Sequence, residues 1–150
     1  MVIADQSVAL RRRLEEYEML LEIGVELAGT LELSRVLAVA LQKAEELCRA
    51  ESSSIWELDD DAGELFFRVV RGRAAGDIRA LRVPLGRGIV GSVALSGQAE
   101  VVNDVSSDPR WSGDGGEGFT TRSILTVPLI ARGRVIGVLQ LLNPADRSGF

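Results

Sequence analysis

Apolar residues near the start of the chain recur at helical spacing. Between Asp5 and Ala28 they alternate at intervals of four and three residues, at Leu10, Leu14, Tyr17, Leu21, Gly24 and Ala28. This alternation is typical of a coiled-coil seam. Two interpretations fit the pattern: the helix packs against its own domain, or it also pairs with a second subunit. We favour pairing, because a seam of about two to three heptads needs a partner to bury it.

A second helix is predicted after an interruption at Gly29 and Thr30. Ser34 is a suitable N-cap, and the helix is expected to reach about Arg49. Its apolar face comprises Leu37, Ala40, Leu41, Ala44, Leu47 and Cys48. Cys48 is therefore expected to be a buried core residue rather than a reactive thiol, since no neighbouring base would activate it.

The rest of the chain alternates short apolar runs with turn residues, which predicts β-strands. The six predicted strands are Ser52 to Leu58, Leu65 to Val70, Leu81 to Leu85, Gln98 to Asn103, Ile124 to Ala131 and Val135 to Leu142. Hairpin turns are expected at residues 59–63 and at Arg132 and Gly133. The three aspartates of the first turn lack the spacing of a calcium loop, so a solvated turn is expected. This order of elements indicates an α+β domain with an antiparallel sheet.

The segment from Gly86 to Gly91 matches the GxGxxG motif of dinucleotide-binding folds. The predicted helix from Ile89 to Leu95 is too short for a βαβ crossover, so we reject a dinucleotide site. The glycines are instead expected to let this helix dock closely on the sheet, with its first amides facing an anion or a carbonyl. Further along, Asp108 is expected to cap a short helical turn that starts at Pro109.

Composition narrows the functional classes. The formal net charge is −5, and nucleic acid is not an expected partner because its recognition needs a clustered basic face. No stretch approaches the roughly 20 apolar residues of a membrane span, so a cytoplasmic segment without membrane insertion is expected. The chain has no histidine and one cysteine, which removes the commonest general base, the commonest metal ligand and any internal disulfide. An enzyme is not expected, and no catalytic or metal-binding residue is assigned.

The second half of the chain carries the motif pattern of a known family. Its elements are Asn103-Asp104, Asp108-Pro109-Arg110, Gly118-Phe119, Thr121 to Leu125, Val127-Pro128-Leu129, Gly133, Val135 to Val138 and Leu141-Leu142-Asn143. Upstream, Ser53-Ser54-Ile55 and Gly88 to Gly91 agree with the same pattern. The chain resembles the GAF family of small-molecule sensor domains over residues 20–150, and residues 1–28 are expected to form a dimerisation helix continuous with that domain.

The resemblance implies a GAF/PAS-like, six-stranded antiparallel sheet with helices packed on one face and a ligand pocket capped on the other. It also implies a regulatory role in a larger, bacterial-type signalling protein, with an output domain in the same polypeptide. Many members dimerise through flanking helices, which fits a homodimer formed by the first helix. The family's final helix is expected to begin just after Phe150, so the chain is expected to be part of a longer protein.

The resemblance also bears on cofactors. Members that bind cyclic nucleotides carry an Asn-Lys-Phe-Asp-Glu signature, whereas Asn143 is followed here by Pro144. A cyclic nucleotide stays a candidate ligand, and no cofactor is assigned. Covalently bound bilin is disfavoured because Cys48 lies on a helix outside the pocket region, and haem is disfavoured because there is no histidine ligand. Members that reduce free methionine sulfoxide need more than one pocket cysteine, so that activity is disfavoured as well.

The segment from Val101 to Ser123 is expected to form the lid of the pocket, because loops on a rigid sheet carry binding functions. The candidate ligand-binding residues are Asp104, Arg110, Trp111, Phe119, Thr121 and Ser123. Asp104 would either accept a hydrogen bond from the ligand or cap the loop. Arg110 would either hold an anionic group in a bidentate contact, or else be a solvated surface residue or pair with nearby acids. Arg122 has the same two interpretations.

The aromatic and hydroxyl candidates also have two interpretations each. Trp111 and Phe119 offer flat faces for stacking a ring, or they close an unoccupied core. Thr121 and Ser123 offer hydroxyl contacts, and Ser123 alternatively satisfies backbone groups at the strand end. The first hypothesis is a sensory domain that binds a small cytoplasmic ligand. The second hypothesis is a ligand-free dimerisation module with a collapsed pocket.

Overall fold

The computed structural model describes residues 2–72, 81–113 and 119–150. Helix α1 spans Val2–Cys48, helix α2 spans Gly88–Ser96, and a 3-10 turn spans Val105–Ser107. The strands are β1 Ala50–Asp59, β2 Glu64–Gly72, β3 Arg82–Pro84, β4 Glu100–Val102, β5 Ile124–Ala131 and β6 Arg134–Pro144. All six predicted strands are confirmed, with shifts only at their ends. Gly118 of the family motif lies outside the described residues.

Helix α1 is a single helix, whereas two were predicted. It runs without interruption from Val2 to Cys48, although the chain divides into two compact units, residues 1–36 and 37–150. The predicted break at Gly29 and Thr30 is wrong. A glycine inside a helix costs only about 1 kcal/mol relative to alanine, and the surrounding leucine, glutamate and alanine residues are strong helix formers.

In the first unit, α1 exposes apolar side chains at the predicted seam. The seam residues whose side chains are described are Leu10, Leu14, Tyr17 and Leu21, and they are between 54% and 65% exposed. The remaining seam positions, Gly24 and Ala28, lie outside the residues whose side chains are described. The seam is therefore not buried within this unit, and its pairing with a second subunit stays a prediction.

In the second unit, the last part of α1 buries a narrower face than the sequence predicted. The inward positions are Leu37, Leu41, Ala44 and Cys48. Leu41 is fully buried, whereas Ala40 is exposed and Leu47 is 84% exposed, so the prediction was wrong for these two residues. Ala40 is one residue and Leu47 is six residues away from Leu41. At these separations a helix turns the side chains by about 100° and 120° away from the buried face. Cys48 was expected to be buried, but it is half-buried because it occupies the last position of the helix.

The sheet is antiparallel, with the strand order β3-β2-β1-β6-β5-β4. Both predicted hairpin turns are confirmed. The amide of Gly63 donates to the carbonyl of Asp59 at 2.8 Å, and Arg132 and Gly133 have φ of 51° and 74°. Positive φ at both central residues is what a tight two-residue hairpin requires. The prediction of an α+β fold built on a six-stranded antiparallel sheet is therefore confirmed.

One face of the sheet is covered by α2. The core cluster on this face comprises Trp56, Leu65, Val90, Val93, Ala94 and Val138. The helix lies close to the chain beneath it because Gly91 has no side chain: a Cβ there would lie 2.7 Å from the carbonyl oxygen of Pro84. The prediction that glycine allows close docking of this helix is confirmed.

The opposite face of the sheet carries the last part of α1. The hydroxyl of Ser53 donates to Oε1 of Glu45 at 2.5 Å, and Nε of Arg71 lies 3.6 Å from Oε2 of the same carboxylate. Successive side chains of a strand point to opposite faces, so Ser54 points toward the face of α2. Within the second unit, the end of α1 and α2 therefore pack on opposite sides of one sheet.

Candidate ligand-binding site

A row of polar side chains crosses the sheet on the face of α2. Ser54 pairs with Gln140, Gln140 with Thr126, and Thr126 with Glu100, on four adjacent strands. Directly paired residues point to the same face of an antiparallel sheet. Ser54, Gln140 and Thr126 are 3%, 8% and 0% exposed, so hydroxyl and amide groups lie where a sheet normally places apolar ones.

The hydrogen bonds of this row are incomplete among the described residues. The Nε1 of Trp56 donates to Oε1 of Gln140 at 2.9 Å, and Nε2 of Gln140 donates to Oγ1 of Thr126 at 3.3 Å. Within the described part of the chain, the hydroxyl of Ser54 makes no hydrogen bond and that of Thr126 accepts one without donating. The row therefore has unused donors.

Arg110 closes the far end of the row. Its NH1 and NH2 groups donate to the two oxygens of Glu100 at 3.2 and 2.8 Å. Its Nε and NH2 groups donate to Asp108 at 3.0 and 2.8 Å. The hydrogen bonds that Arg110 donates hold the pKa of the Asp108 carboxyl below its usual value. The hydrogen bonds to Asp108 and Glu100 also raise the pKa of Arg110 above its usual value. Of the two interpretations of Arg110, this geometry matches pairing with nearby acids.

Asp104 caps the 3-10 turn that precedes Arg110. Its Oδ1 accepts from the amide of Ser106 at 3.1 Å and from the hydroxyl of Ser106 at 2.5 Å. The hydroxyl bond is the main cause that lowers the pKa of Asp104.

The predicted turn at Pro109 with Asp108 as its cap is present as a single hydrogen-bonded turn: the amide of Trp111 donates to the carbonyl of Asp108 at 3.0 Å, and the amide of Arg110 donates to Oδ1 of Asp108 at 2.9 Å. The sequence did not predict the preceding 3-10 turn, Val105–Ser107, whose C-cap is also Asp108. Val105 is 2% exposed, and its burial fixes the turn there.

Trp111 packs over an apolar cluster next to the polar row. The buried members of the cluster are Ile89, Val105 and Ile124, and Trp111, Val102 and Leu142 pack against them. A Cβ on Gly88, the first residue of α2, would lie 3.8 Å from the carbonyl oxygen of Arg110. The start of α2 and the segment around Arg110 therefore meet above the sheet, and the half-buried ring of Trp111 closes the face there.

The remaining candidates lie just before β5. Phe119 is half-buried, and Thr121 and Ser123 are 7% and 5% exposed. The hydroxyl of Ser123 donates to the carbonyl of Asn103 at 3.0 Å, which matches the interpretation that it satisfies backbone groups at the strand end. Arg122 lies 3.4 Å from the carboxylate of Glu51. Of the six candidates, Arg110 bonds to Glu100 at the end of the polar row, and Trp111 packs against the cluster beside it.

Asn143 holds the segment before β5 in place. Its Oδ1 accepts from the amides of Arg122 and Ser123 at 2.7 and 3.2 Å, and its Nδ2 donates to the carbonyl of Thr120 at 2.7 Å. Asn143 is fully buried and has φ of 53°, a left-handed conformation that asparagine tolerates better than most residues. The sequence matched Asn143 to a family motif without revealing this structural role.

The polar row itself was missed by the sequence analysis. Thr126 and Gln140 interrupt two apolar strand runs at inward positions, and that interruption was the available signal.

A separate groove of about 340 Å³ is lined by Cys48, Arg49, Val101, Leu125, Pro144, Asp146, Gly149 and Phe150, none of which is a candidate. Among the described residues, no group of acidic or cysteine side chains is arranged to hold a metal ion. No described helix is long and apolar enough to cross a membrane.

Comparisons with known proteins agree with this fold. A sequence model of the GAF domain matches residues 30–150. The chain is 26% identical over 154 residues to a probable 3′,5′-cyclic phosphodiesterase, pde-5, of Caenorhabditis elegans, covering 94% of this chain and 21% of that protein. The chain therefore spans about a fifth of that relative's length.

Solved structures show the same architecture. The GAF domain of a phosphoenolpyruvate-protein phosphotransferase from Coxiella burnetii superposes with a TM-score of 0.69 at 22% identity, covering 89% of this chain and 80% of that one. The free methionine-R-sulfoxide reductase of Neisseria meningitidis, in complex with its substrate, gives 0.63 at 27% identity, covering 79% and 67%. With the family match over residues 30–150, these similarities show that the chain belongs to the GAF domain family.

Proposed function

We propose that this chain is the sensory part of a larger, bacterial-type signalling protein and binds a small ligand on the sheet face that carries α2. The polar row is the observation that carries this proposal. Ser54 and Thr126 have hydroxyl protons without acceptors among the described residues. A ligand that accepts these protons would complete the row.

The relatives support a small polar metabolite as the ligand. The curated relative is named a probable 3′,5′-cyclic phosphodiesterase, and the reductase from Neisseria meningitidis was solved with its substrate bound. A cyclic nucleotide is one candidate for this chain. We assign Trp111 and Phe119 to ring contacts and Thr121 to a hydroxyl contact. Asp104, Arg110, Thr121 and Ser123 already interact with other groups of the protein, so they would reach a ligand only after the lid moves.

Regulation is proposed to run through a homodimer of α1 to an output domain in the same polypeptide, in the cytoplasm. The exposed seam residues of α1 supply the apolar surface for pairing. For ligand binding to control the output, the ligand must favour one arrangement of the paired helices over the other. The domain itself is proposed to be regulatory and not catalytic, since it has no histidine to serve as a general base.

A ligand-free dimerisation module is the second candidate function, and one observation favours it. Trp111 packs against the cluster of Ile89, Val105 and Ile124, so the aromatic side chain fills part of the face that a ligand would occupy. In this alternative, the polar row contributes to the internal structure of the domain and the chain acts only by pairing.

A thermal-shift screen of the purified chain against small metabolites separates the two functions. A compound at 100 times its Kd stabilises the folded state by about 2.7 kcal/mol, so a true ligand should raise the Tm by about 5 °C or more. The same compound should shift Thr126→Val much less. Asp60→Asn is the control, because within the described part of the chain the exposed Asp60 pairs with the exposed Arg134, away from the polar row. If no compound in the screen stabilises the chain, the ligand-free module is favoured.

A further inference from the structure

The geometry points to an uncharged or cationic ligand, because Arg110, the cation at the end of the polar row, is already neutralised by two carboxylates. This inference rests on the proposed function and adds the charge class of the ligand, and it disfavours a cyclic nucleotide because the cyclic phosphate is negatively charged. It concerns the same face of the sheet, where Glu100 is in register with Thr126 and therefore places its carboxylate at the edge of the row.

The guanidinium of Arg110 has little capacity left for a ligand. It makes four hydrogen bonds to Asp108 and Glu100, all between 2.8 and 3.2 Å, which use most of its N–H donors. Its contact with Glu100 has the bidentate geometry that a ligand carboxylate or phosphate would otherwise adopt. The protein thus supplies its own anion to this cation.

The local charge around Arg110 is negative. One guanidinium and two carboxylates sum to +1 − 2 = −1. An incoming anion would have to displace one carboxylate from a bidentate contact and would then lie beside the other, which like-charge repulsion opposes. The side chains of Arg110 and Glu100 are 33% and 31% exposed, so this repulsion acts in a partly desolvated position and is screened less than at the surface.

A ligand without negative charge meets complementary groups along the same row. The hydroxyls of Ser54 and Thr126 have protons to donate to ligand carbonyl or ring-nitrogen acceptors. At the other end, a ligand N–H or ammonium group would be accepted by the lone pairs of Glu100 that Arg110 does not use. A neutral heterocycle or amide that has an acceptor at one end and a donor at the other end fits this arrangement.

Removing the two carboxylate charges tests the inference. The probes are sodium nitrate, inorganic phosphate, and the pairs guanosine with 3′,5′-cyclic GMP and adenosine with 3′,5′-cyclic AMP, measured by thermal shift and calorimetry against sodium chloride at equal ionic strength. We expect the wild-type chain to show no specific anion binding. The isosteric double variant Glu100→Gln, Asp108→Asn frees the charge of Arg110 and should bind the anionic probes at least about tenfold more tightly, equivalent to 1.4 kcal/mol.

Two further variants assign any gain to Arg110. Adding Arg110→Gln to the double variant should abolish the gain, whereas adding Arg87→Gln should not, since Arg87 is exposed and precedes α2. Cooperative thermal unfolding of each variant shows that it folds. Anion binding by the wild-type chain at the affinity of the double variant would overturn the inference, and so would a double variant without a gain. A metabolite screen that yields no ligand would instead overturn the proposed function.

Discussion

Glu100 and Arg110 form a bidentate ion pair, with distances of 3.2 Å from NH1 to Oε1 and 2.8 Å from NH2 to Oε2. This pair fastens the segment after the 3-10 turn to edge strand β4. Asp108 binds the same guanidinium from within that segment. Residues 108–111 are therefore held against the sheet by these charged groups and by the ring of Trp111.

Because Asp108 forms an ion pair with Arg110, we predict that the folded state loses stability in acid. The pKa of Asp108 lies below its ordinary value of 3.8, first because the side chain of Arg110 donates hydrogen bonds to it. A carboxyl group whose pKa is lower in the folded state stabilises that state above its ordinary pKa, and the contribution is lost as pH falls through the folded value. Urea unfolding between pH 7 and pH 3 should therefore show stability falling below about pH 4. Asp108→Asn should lose less over this range, and parallel curves for the two proteins would contradict the prediction.

Substitution of Asn143 should cost much of the fold's stability. Asn143→Ala removes the acceptor of two amides and the donor to Thr120 from a fully buried position. Unpaired buried groups cost about 1–3 kcal/mol each, so a loss of about 3 kcal/mol or more is expected in urea unfolding at pH 7. Asn143→Gly loses the same bonds but tolerates φ of 53°, and should be about 1 kcal/mol more stable than the alanine variant. A loss below about 1 kcal/mol for alanine would be inconsistent with this role.

A methyl group at Gly91 should push α2 away from the chain beneath it. The added Cβ would lie 2.7 Å from the Pro84 carbonyl and 3.1 Å from the Gly86 nitrogen, and both are backbone atoms that cannot rotate aside. Gly91→Ala should therefore destabilise the domain by about 2 kcal/mol in urea unfolding, as overpacking does in cores. Leu95→Ala, on the same helix with a 66% exposed side chain, serves as the control and should change stability by less than about 0.5 kcal/mol. Similar losses for both variants would show that close approach is not the cause.

Charge in the seam of α1 should weaken self-association without unfolding the domain. Leu14 and Leu21 are 54% and 65% exposed, so Leu14→Lys or Leu21→Lys should leave urea unfolding nearly unchanged. In sedimentation equilibrium the dimer Kd should rise at least about tenfold, because buried lysines at seam positions are costly. Met19→Lys adds the same charge at an equally exposed position off the seam (62%) and should affect the Kd much less. A wild-type chain that stays monomeric at high concentration would refute the pairing.

Local patterns were enough to predict the sheet. Apolar runs such as Ile124–Ala131 and the turn at Arg132 and Gly133 depend on residues close in sequence, and the structure has both as predicted. The family resemblance implied the same six-stranded sheet. The break of α1 was mispredicted because a single glycine is a weak local signal. The 3-10 turn Val105–Ser107 was not predicted because it depends on the burial of Val105 by residues that are distant in sequence.

The site was only partly predictable, because its main feature is created by strand register. Trp56 and Gln140 are 84 residues apart in sequence, and Gln140 and Thr126 are 14 apart. No local pattern joins them, whereas Asp104, Arg110 and Trp111 stood out in one polar loop. In the structure, these loop residues form hydrogen bonds or packing contacts with neighbouring groups of the protein. The polar residues at inward strand positions were as informative a signal in the sequence as the residues of this loop.

Sedimentation equilibrium with and without ligand tests the central proposal most directly. The compound that raises the Tm most in the thermal-shift screen is added at saturation, and the dimer Kd of the wild-type chain is measured against that of Thr126→Val. If ligand binding is coupled to pairing of the helices, the ligand must change the dimer Kd. A coupling free energy of about 1–3 kcal/mol would change the dimer Kd by about 5- to 150-fold. We expect a change in this range for the wild-type chain and little change for Thr126→Val. An unchanged wild-type Kd at full ligand occupancy would contradict regulation through α1.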